Sequence, residues 1–268
     1  MIVCKKKENG GIKVKLWPNG EHAPEIHFYE PENRKTDAAV VIFPGGGYHF
    51  RAEHEGKGYA EFLQTVGVCS FVVDYRVCPD YFPLPLLDAR RAVRFVRANA
   101  ENFGIDPHKI AVMGSSAGGH LAAMESTYTE KIDGEGIDET DRLDFIPDAQ
   151  ILCYPVLLEY HSEFAHKGSY ENLLGRDNLD FAPQVDPVLN VSETTPQAFI
   201  WHTAEDGSVN VINSYEYAKA LRLHNVPVEM HIFPYGKHGL GIQKAPEHVA
   251  QWGNLLAEWF REIGWIKN

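Results

Sequence analysis

The sequence is poor in cysteine, in positive charge and in long apolar runs, and each shortage excludes a class of protein. Its four cysteines, Cys4, Cys69, Cys78 and Cys153, have no C-x-x-C spacing, so no disulfide framework or common zinc motif is indicated. Cys69 and Cys153 fall in apolar segments and are expected to be buried thiols. A net charge of −12 excludes nucleic acid and anionic membrane surfaces as expected partners, because both require a basic face on the protein.

No stretch approaches the roughly 18 consecutive apolar residues that a membrane-spanning helix needs. The opening MIVCKKKENGG has positive charge but no apolar stretch behind it, unlike a secretory signal. Together with the isolated cysteines, this predicts a cytoplasmic protein. A length of 268 residues with 44% hydrophobic content suits a single globular domain over residues 1–268.

Short apolar runs alternate with segments of helical periodicity along most of the chain. The predicted strands are residues 39–43, 68–73, 110–113, 149–154, 197–201 and 228–233. They are almost continuously apolar, which is typical of parallel strands covered on both faces. The alternation therefore predicts an α/β protein with a mostly parallel, doubly wound sheet and helices on both faces. IKVKLWP and EIHFYEP alternate apolar with polar residues and predict an antiparallel pair at the N-terminal edge.

Two long connections interrupt this pattern, residues 126–147 and 157–196. Long loops in a compact domain are usually functional or disordered. The second follows the end of a predicted strand, which is where α/β sheets bind their ligands.

The segment VMGSSAGGHLA contains one frame of the motif G-x-S-x-G, centred on Ser116. The frame centred on Ser115 fails because Met113 takes the place of its first glycine. A predicted strand precedes the motif and a predicted helix follows it, which is the context of a nucleophilic serine on a strained turn. The alternative is a tight strand-to-helix turn with no chemistry.

A serine hydroxyl becomes a nucleophile when a histidine accepts its proton and a carboxylate orients that histidine. Asp206 and His238 follow two successive predicted strands, in the chain order that this fold requires. Glu205 is a weaker candidate for the acid. Packing in strands or in a helix explains the competing histidines: His120, His202 and His231.

The glycines 45–47 directly follow the first predicted parallel strand. A glycine run can turn backbone N–H groups toward an oxyanion, or it can cradle a phosphate. The second interpretation is weaker because no G-x-G-x-x-G or G-K-[ST] motif is present. His49, His54 and Glu55 are expected to hydrogen-bond around this glycine loop rather than to bind a metal, and the sequence indicates neither a metal nor a cofactor.

With these motifs in place, the chain resembles the α/β-hydrolase superfamily, in particular the bacterial acetylesterase and acetyl-xylan esterase-like branch near hormone-sensitive lipase. The resemblance rests on FPGGGY, HEG, DYR, GKHG and the long segment DARRAVRFVRANAENFGIDPHKIAVMGSSAGGHLA, and it spans about residues 40–240. One departure is Pro44, which stands where the hormone-sensitive lipase branch has a histidine.

This resemblance implies an α/β-hydrolase fold and a catalytic triad of Ser116, Asp206 and His238. It also implies an oxyanion hole made by the N–H groups of Gly46, Gly47 and Ala117, with residues 157–196 as an insertion that covers the pocket. The substrate contacts it suggests are Tyr48, His49, Tyr160 and Tyr170.

The implied activity is hydrolysis of short-chain, above all acetyl, esters of sugars or similar polar alcohols, through an acyl-enzyme. The expected partner is therefore a small-molecule or oligosaccharide ester. The alternatives are a general carboxylesterase or an arylformamidase of the same fold. A binding protein without chemistry is disfavoured because all three triad positions are filled. The sequence leaves a homodimer open.

Overall fold

The part of the chain that the structure, a computed structural model, describes comprises residues 12–18 and 23–267. Within these ranges one sheet has the order β1-β2-β4-β3-β5-β6-β7-β8. Its strands are β1 (Ile12–Lys15), β2 (Glu25–Tyr29), β3 (Ala39–Phe43), β4 (Cys69–Val73), β5 (Ile110–Ser115), β6 (Ala149–Cys153), β7 (Ala198–Thr203) and β8 (Val228–Phe233). β2 pairs antiparallel with both β1 and β4, and every other pairing is parallel.

Helices cover both faces of this sheet. They are α1 (Glu53–Val66), α2 (Leu84–Ala98), α3 (Ala100–Phe103), α4 (Ala117–Thr127), α5 (Lys167–Leu174), α6 (Ile212–Leu223), α7 (Glu247–Ala250) and α8 (Trp252–Glu262), with 3₁₀ segments at Glu139–Arg142 and Arg176–Val185. Side chains of β3 alternate between two cores: Val41 belongs to the core that includes residues of α2, α4 and α6, and Ile42 belongs to the core that includes residues of α1 and α8. Both faces of the strand are therefore buried, as its continuous apolar sequence indicates.

The predicted fold class, a mostly parallel doubly wound sheet with an antiparallel N-terminal edge, is confirmed. The strand ends differ from prediction by one or two residues. β5 continues to Ser115 because that residue pairs with Cys153 of β6, and β7 continues to Thr203 because it pairs with Phe233 of β8. These extensions depend on a neighbouring strand and not on local hydrophobicity.

The acidic connection at residues 126–147 packs against arginines of α2. The buried Arg90 guanidinium pairs with Glu135 at 2.6 Å, and Arg91 pairs with Asp138 at 2.6 Å and Asp141 at 2.9 Å. No residue of this connection lines the cavity that contains Ser116. Its acidic composition therefore reflects charge pairing with α2.

Cys69 and Cys153 are buried free thiols, as predicted, and burial raises their pKa values to about 11 and about 12. Cys4 lies outside the described residues. Across residues 12–18 and 23–267, no helix combines the length and the apolar character needed to cross a bilayer.

Candidate active site

Ser116 lies on the sharp turn between β5 and α4. Its backbone has φ 54° and ψ −120°, which is unusual for a residue with a side chain and indicates local strain. The flanking glycines permit this turn, since a Cβ on Gly114 would lie 2.0 Å from the Gly118 carbonyl oxygen and one on Gly118 would lie 2.1 Å from the Phe43 carbonyl oxygen. Ser115 instead belongs to β5, where its buried Oγ lies 2.7 Å from the Tyr59 hydroxyl.

His238 connects Ser116 to Asp206. Its Nε2 lies 2.9 Å from Ser116 Oγ, and its Nδ1 lies 2.7 Å from Asp206 Oδ2. When Nδ1–H is donated to the carboxylate, Nε2 is the unprotonated nitrogen and can accept the serine proton. The loops after β7 and β8 thus bring together the three side chains that the sequence analysis selected, although they are far apart in the chain.

The carboxylate of Asp206 is fixed from two sides. Oδ1 accepts the N–H groups of Ser208 and Val209, both at 2.9 Å. Oδ2 faces His238 and also lies 3.3 Å from Nε2 of the buried His202. Burial by itself would raise the pKa of Asp206, but the hydrogen bonds from His202 and His238 hold this pKa well below its usual range. The group is therefore an anion at neutral pH.

Glu205, the weaker candidate for the acid, does not face His238. It is exposed, and its Oε2 accepts the Gly236 N–H at 3.1 Å. The geometry favours Asp206.

The glycine loop after β3 has its peptide groups oriented by hydrogen bonds. The Gly45 carbonyl accepts the Ala52 N–H at 2.9 Å, and the Gly46 carbonyl accepts the His49 N–H at 3.0 Å. Because a trans peptide directs its C=O and N–H to opposite sides, these bonds direct the N–H groups of Gly46 and Gly47 away from the turn. Both glycines line the same cavity as Ser116. Ala117, the first residue of α4, directly follows the serine.

An open cavity of about 770 Å³ surrounds Ser116 and His238. His49, whose contact with substrate stays a prediction, lines this cavity together with its neighbours Phe50 and Arg51. The segment 157–196 contributes His166 and Asn172 to the lining. Asn172 also donates to the Gly47 carbonyl at 2.8 Å, which connects this segment to the glycine loop.

The predicted substrate contacts of Tyr48 and Tyr170 disagree with the structure. Both side chains are 1% exposed, and neither lines the cavity. Both rings pack edge-on against His120, and the Tyr48 hydroxyl lies 2.8 Å from His120 Nδ1. Tyr160 is half-buried and does not line the cavity; its hydroxyl lies 3.5 Å from Glu171 Oε1. Tyr170 belongs to the hydrophobic core on this face of the sheet, and Tyr160 packs against the same core.

Two residues close to Ser116, His238 and Asp206 are not marked as site residues by the sequence. His202 is buried in β7, as its strand position predicts, and its Nε2 also contacts the Asp206 carboxylate. His166 was one of many polar residues in a long loop, and burial together with the nearby His238 lowers its pKa. No periodicity or motif marks either position, since each depends on a contact between distant segments.

A serine on a strand-to-helix turn of this sheet, with a histidine and an acid after its last two strands, defines the class: the protein is an α/β hydrolase. More narrowly, the chain belongs to the BD-FAE family, whose model matches residues 26–221. The resemblance described from the sequence is confirmed at this level.

Similar proteins include enzymes named for xylan and for acetyl esters. The chain is 37% identical to endo-1,4-beta-xylanase B of Butyrivibrio fibrisolvens over 86% of its own length, and 31% identical to an acetylxylan esterase of Xylanibacter ruminicola over 87%. It spans only 38% and 47% of those two proteins.

A crystal structure of an acetyl ester-xyloside bifunctional hydrolase from Caldicellulosiruptor lactoaceticus matches over nearly the whole of both chains. The TM-score is 0.89 and the identity is 40%, covering 96% of this chain and 98% of the other.

Proposed function

We propose that the protein is a serine esterase that removes short acyl groups, above all acetyl, from hydroxyl groups of sugars or similar polar alcohols. The observation that carries the proposal is the continuous series of hydrogen-bonding distances from Asp206 through His238 to Ser116, which opens on a cavity whose lining includes several charged and polar side chains. Its similarity to an acetylxylan esterase and to an acetyl ester-xyloside hydrolase supports the sugar ester as substrate.

In the proposed mechanism, His238 Nε2 accepts the Ser116 hydroxyl proton as Oγ attacks the ester carbonyl carbon. The negative charge that develops on the carbonyl oxygen is stabilised by N–H groups of Gly46, Gly47 and Ala117, aided by the N-terminus of α4. The tetrahedral intermediate then collapses, and the alcohol leaves with the proton from His238. Water, activated by the same histidine, hydrolyses the acyl-enzyme and releases the acid.

The walls of the cavity support a polar leaving group. The cavity lining includes the side chains of His49, Arg51, Glu53, His166 and Asn172. Such groups can hydrogen-bond sugar hydroxyls, whereas a long acyl chain requires a continuous apolar groove. We infer that residues 157–196 are an insertion in a single hydrolase domain and form part of the cavity wall, next to the glycine loop that Asn172 contacts.

The two adjacent serines provide a matched test. Ser116→Ala is expected to lower kcat on p-nitrophenyl acetate and acetylated xylo-oligosaccharides by a factor on the order of 10⁶, as loss of a triad nucleophile does. Ser115→Ala is expected to keep a substantial fraction, because its hydroxyl bonds Tyr59 and not His238. Equal losses in both variants, or a loss in Ser115→Ala alone, would contradict the assignment of the nucleophile.

A further inference from the structure

Glu55 has a buried carboxylate between the two loops that the reaction needs. It lies in the first turn of α1 and is 3% exposed. Oε2 accepts the Gly45 N–H at 2.9 Å, and Oε1 accepts the Tyr154 hydroxyl at 2.7 Å. Buried carboxylates are rare unless hydrogen-bonded, so this one has a specific position. We propose, on the basis of the function above, that Glu55 is a positioning residue that joins the glycine loop to the loop carrying His238.

The first contact fixes the start of the glycine loop. Gly45 directly precedes the two glycines proposed as oxyanion donors, so its orientation determines where their N–H groups point. A Cβ on Gly45 would lie only 2.4 Å from Glu55 Oε2. The carboxylate can reach the Gly45 N–H because this residue has no side chain.

The second contact reaches the histidine loop through Tyr154. Its hydroxyl donates to Glu55 and accepts the Gly241 N–H at 2.9 Å. Burial, followed by the charge of Glu55, raises the pKa of Tyr154, so this hydroxyl keeps the proton that it donates. The Tyr154 ring also packs edge-on against His238, with ring centroids 5.0 Å apart.

A further contact holds the histidine loop to α1. His54, adjacent to Glu55, has Nε2 2.9 Å from the Gly239 carbonyl oxygen, and Gly239 directly follows His238. The start of α1 therefore contacts both loops. The distance between the oxyanion donors and the general base depends on these contacts, and a misplacement of about 1 Å can cost about 100-fold in rate.

Glu55→Gln tests the proposal with a side chain of nearly the same shape. The Gly45 N–H can only donate, so the amide oxygen is expected to stay there and the NH₂ group to face Tyr154. The Tyr154 hydroxyl then has to accept a hydrogen bond from residue 55 instead of donating one to it. We expect kcat on p-nitrophenyl acetate to fall by about 10- to 100-fold, less than the 10²–10³-fold loss of an oxyanion donor itself. KM is expected to stay within about 3-fold, because the carboxylate acts on the transition state and not on substrate binding.

Inhibition by a boronic acid separates positioning from mere structural support. A boronic acid forms a tetrahedral adduct on the serine and requires the oxyanion donors and the nucleophile in register. Its Ki is expected to rise in Glu55→Gln by about the factor that kcat loses. Glu61→Gln is the matched control, since Glu61 is an exposed glutamate two turns further along α1, and it is expected to match the wild type in kcat and Ki.

Tyr154→Phe removes one hydroxyl and keeps the ring, so it gives a second variant that preserves the packing. Both substitutions cut the same connection, so the double variant is expected to lose little more than the worse single variant. Wild-type kcat and boronate Ki in Glu55→Gln, or fully additive losses in the double variant, would overturn the proposal. The proposed function is judged separately, by whether the wild type is active and Ser116→Ala is not.

Discussion

Replacing Asp206 by asparagine is expected to disable His238, the proposed general base, without removing any heavy-atom contact. Oδ1 of the residue accepts two backbone N–H groups, so the asparagine oxygen must remain there. Its NH₂ group then takes the place of Oδ2, 2.7 Å from His238 Nδ1. Two N–H groups cannot donate to each other, so His238 has to move its proton to Nε2. In that tautomer Nε2 donates to Ser116 and cannot accept its proton.

The expected loss in kcat/KM is a factor on the order of 10⁴ at neutral pH, the cost of the wrong tautomer in a triad. This equals about 5.4 kcal/mol of transition-state stabilisation, at about 1.36 kcal/mol per factor of ten. His202 reinforces the effect, because its Nε2 is 3.0 Å from the Val209 carbonyl and is therefore a donor as well. It cannot accept from the new NH₂ group.

The assay is kcat/KM on p-nitrophenyl acetate at pH 7, with circular dichroism to verify folding. Glu205→Gln is the matched control, since it changes the adjacent carboxylate in the same way and should cost less than about ten-fold. An Asp206→Asn variant within ten-fold of the wild type would refute the reasoning. A severe loss in Glu205→Gln with an active Asp206→Asn would transfer the role of the acid to Glu205.

Three further outcomes are expected. Asn172→Ala removes the hydrogen bond to the Gly47 carbonyl. It should lower kcat on p-nitrophenyl acetate by about ten-fold and leave the melting temperature nearly unchanged. An unaltered kcat would show that the glycine loop keeps its shape without this bond. Burial lowers the pKa of His120 to about 3, below its unfolded value near 6.5, so the stability that neutral His120 contributes is present above pH 6.5 and is lost as the pH falls toward 3. The free energy of unfolding, measured with urea, should therefore fall by about 2 kcal/mol more in the wild type than in His120→Gln between pH 7 and pH 5. Equal decreases in the two proteins would contradict this. Across p-nitrophenyl esters, kcat/KM should be highest for acetate or propionate and low from eight carbons upward; a steady rise with chain length, at about 0.8 kcal/mol per buried methylene, would indicate a general carboxylesterase.

Local patterns in the sequence determined the order of strands and helices and the frame of the G-x-S-x-G motif around Ser116. Hydrophobic periodicity reports which faces of a segment are buried, and this is a property of neighbouring residues along the chain. The frame of G-x-S-x-G depends on the backbone of five consecutive residues, so Ser116 could be distinguished from Ser115 without any tertiary contact. Asp206 and His238 could also be predicted from the sequence, because parallel strands bring their carboxyl ends to one edge of the sheet.

The tertiary structure alone decided which side chains face the cavity and which lie beneath it. Tyr48 directly follows the glycine loop, and Tyr170 lies in the long connection 157–196. Packing around His120 nevertheless directs both side chains into the core. Asn172 and Glu55 reach the glycine loop from other elements, and His202 reaches Asp206 through a turn. Each of these contacts depends on the packing of separate segments to within a few ångströms, and no local pattern in the sequence encodes such distances.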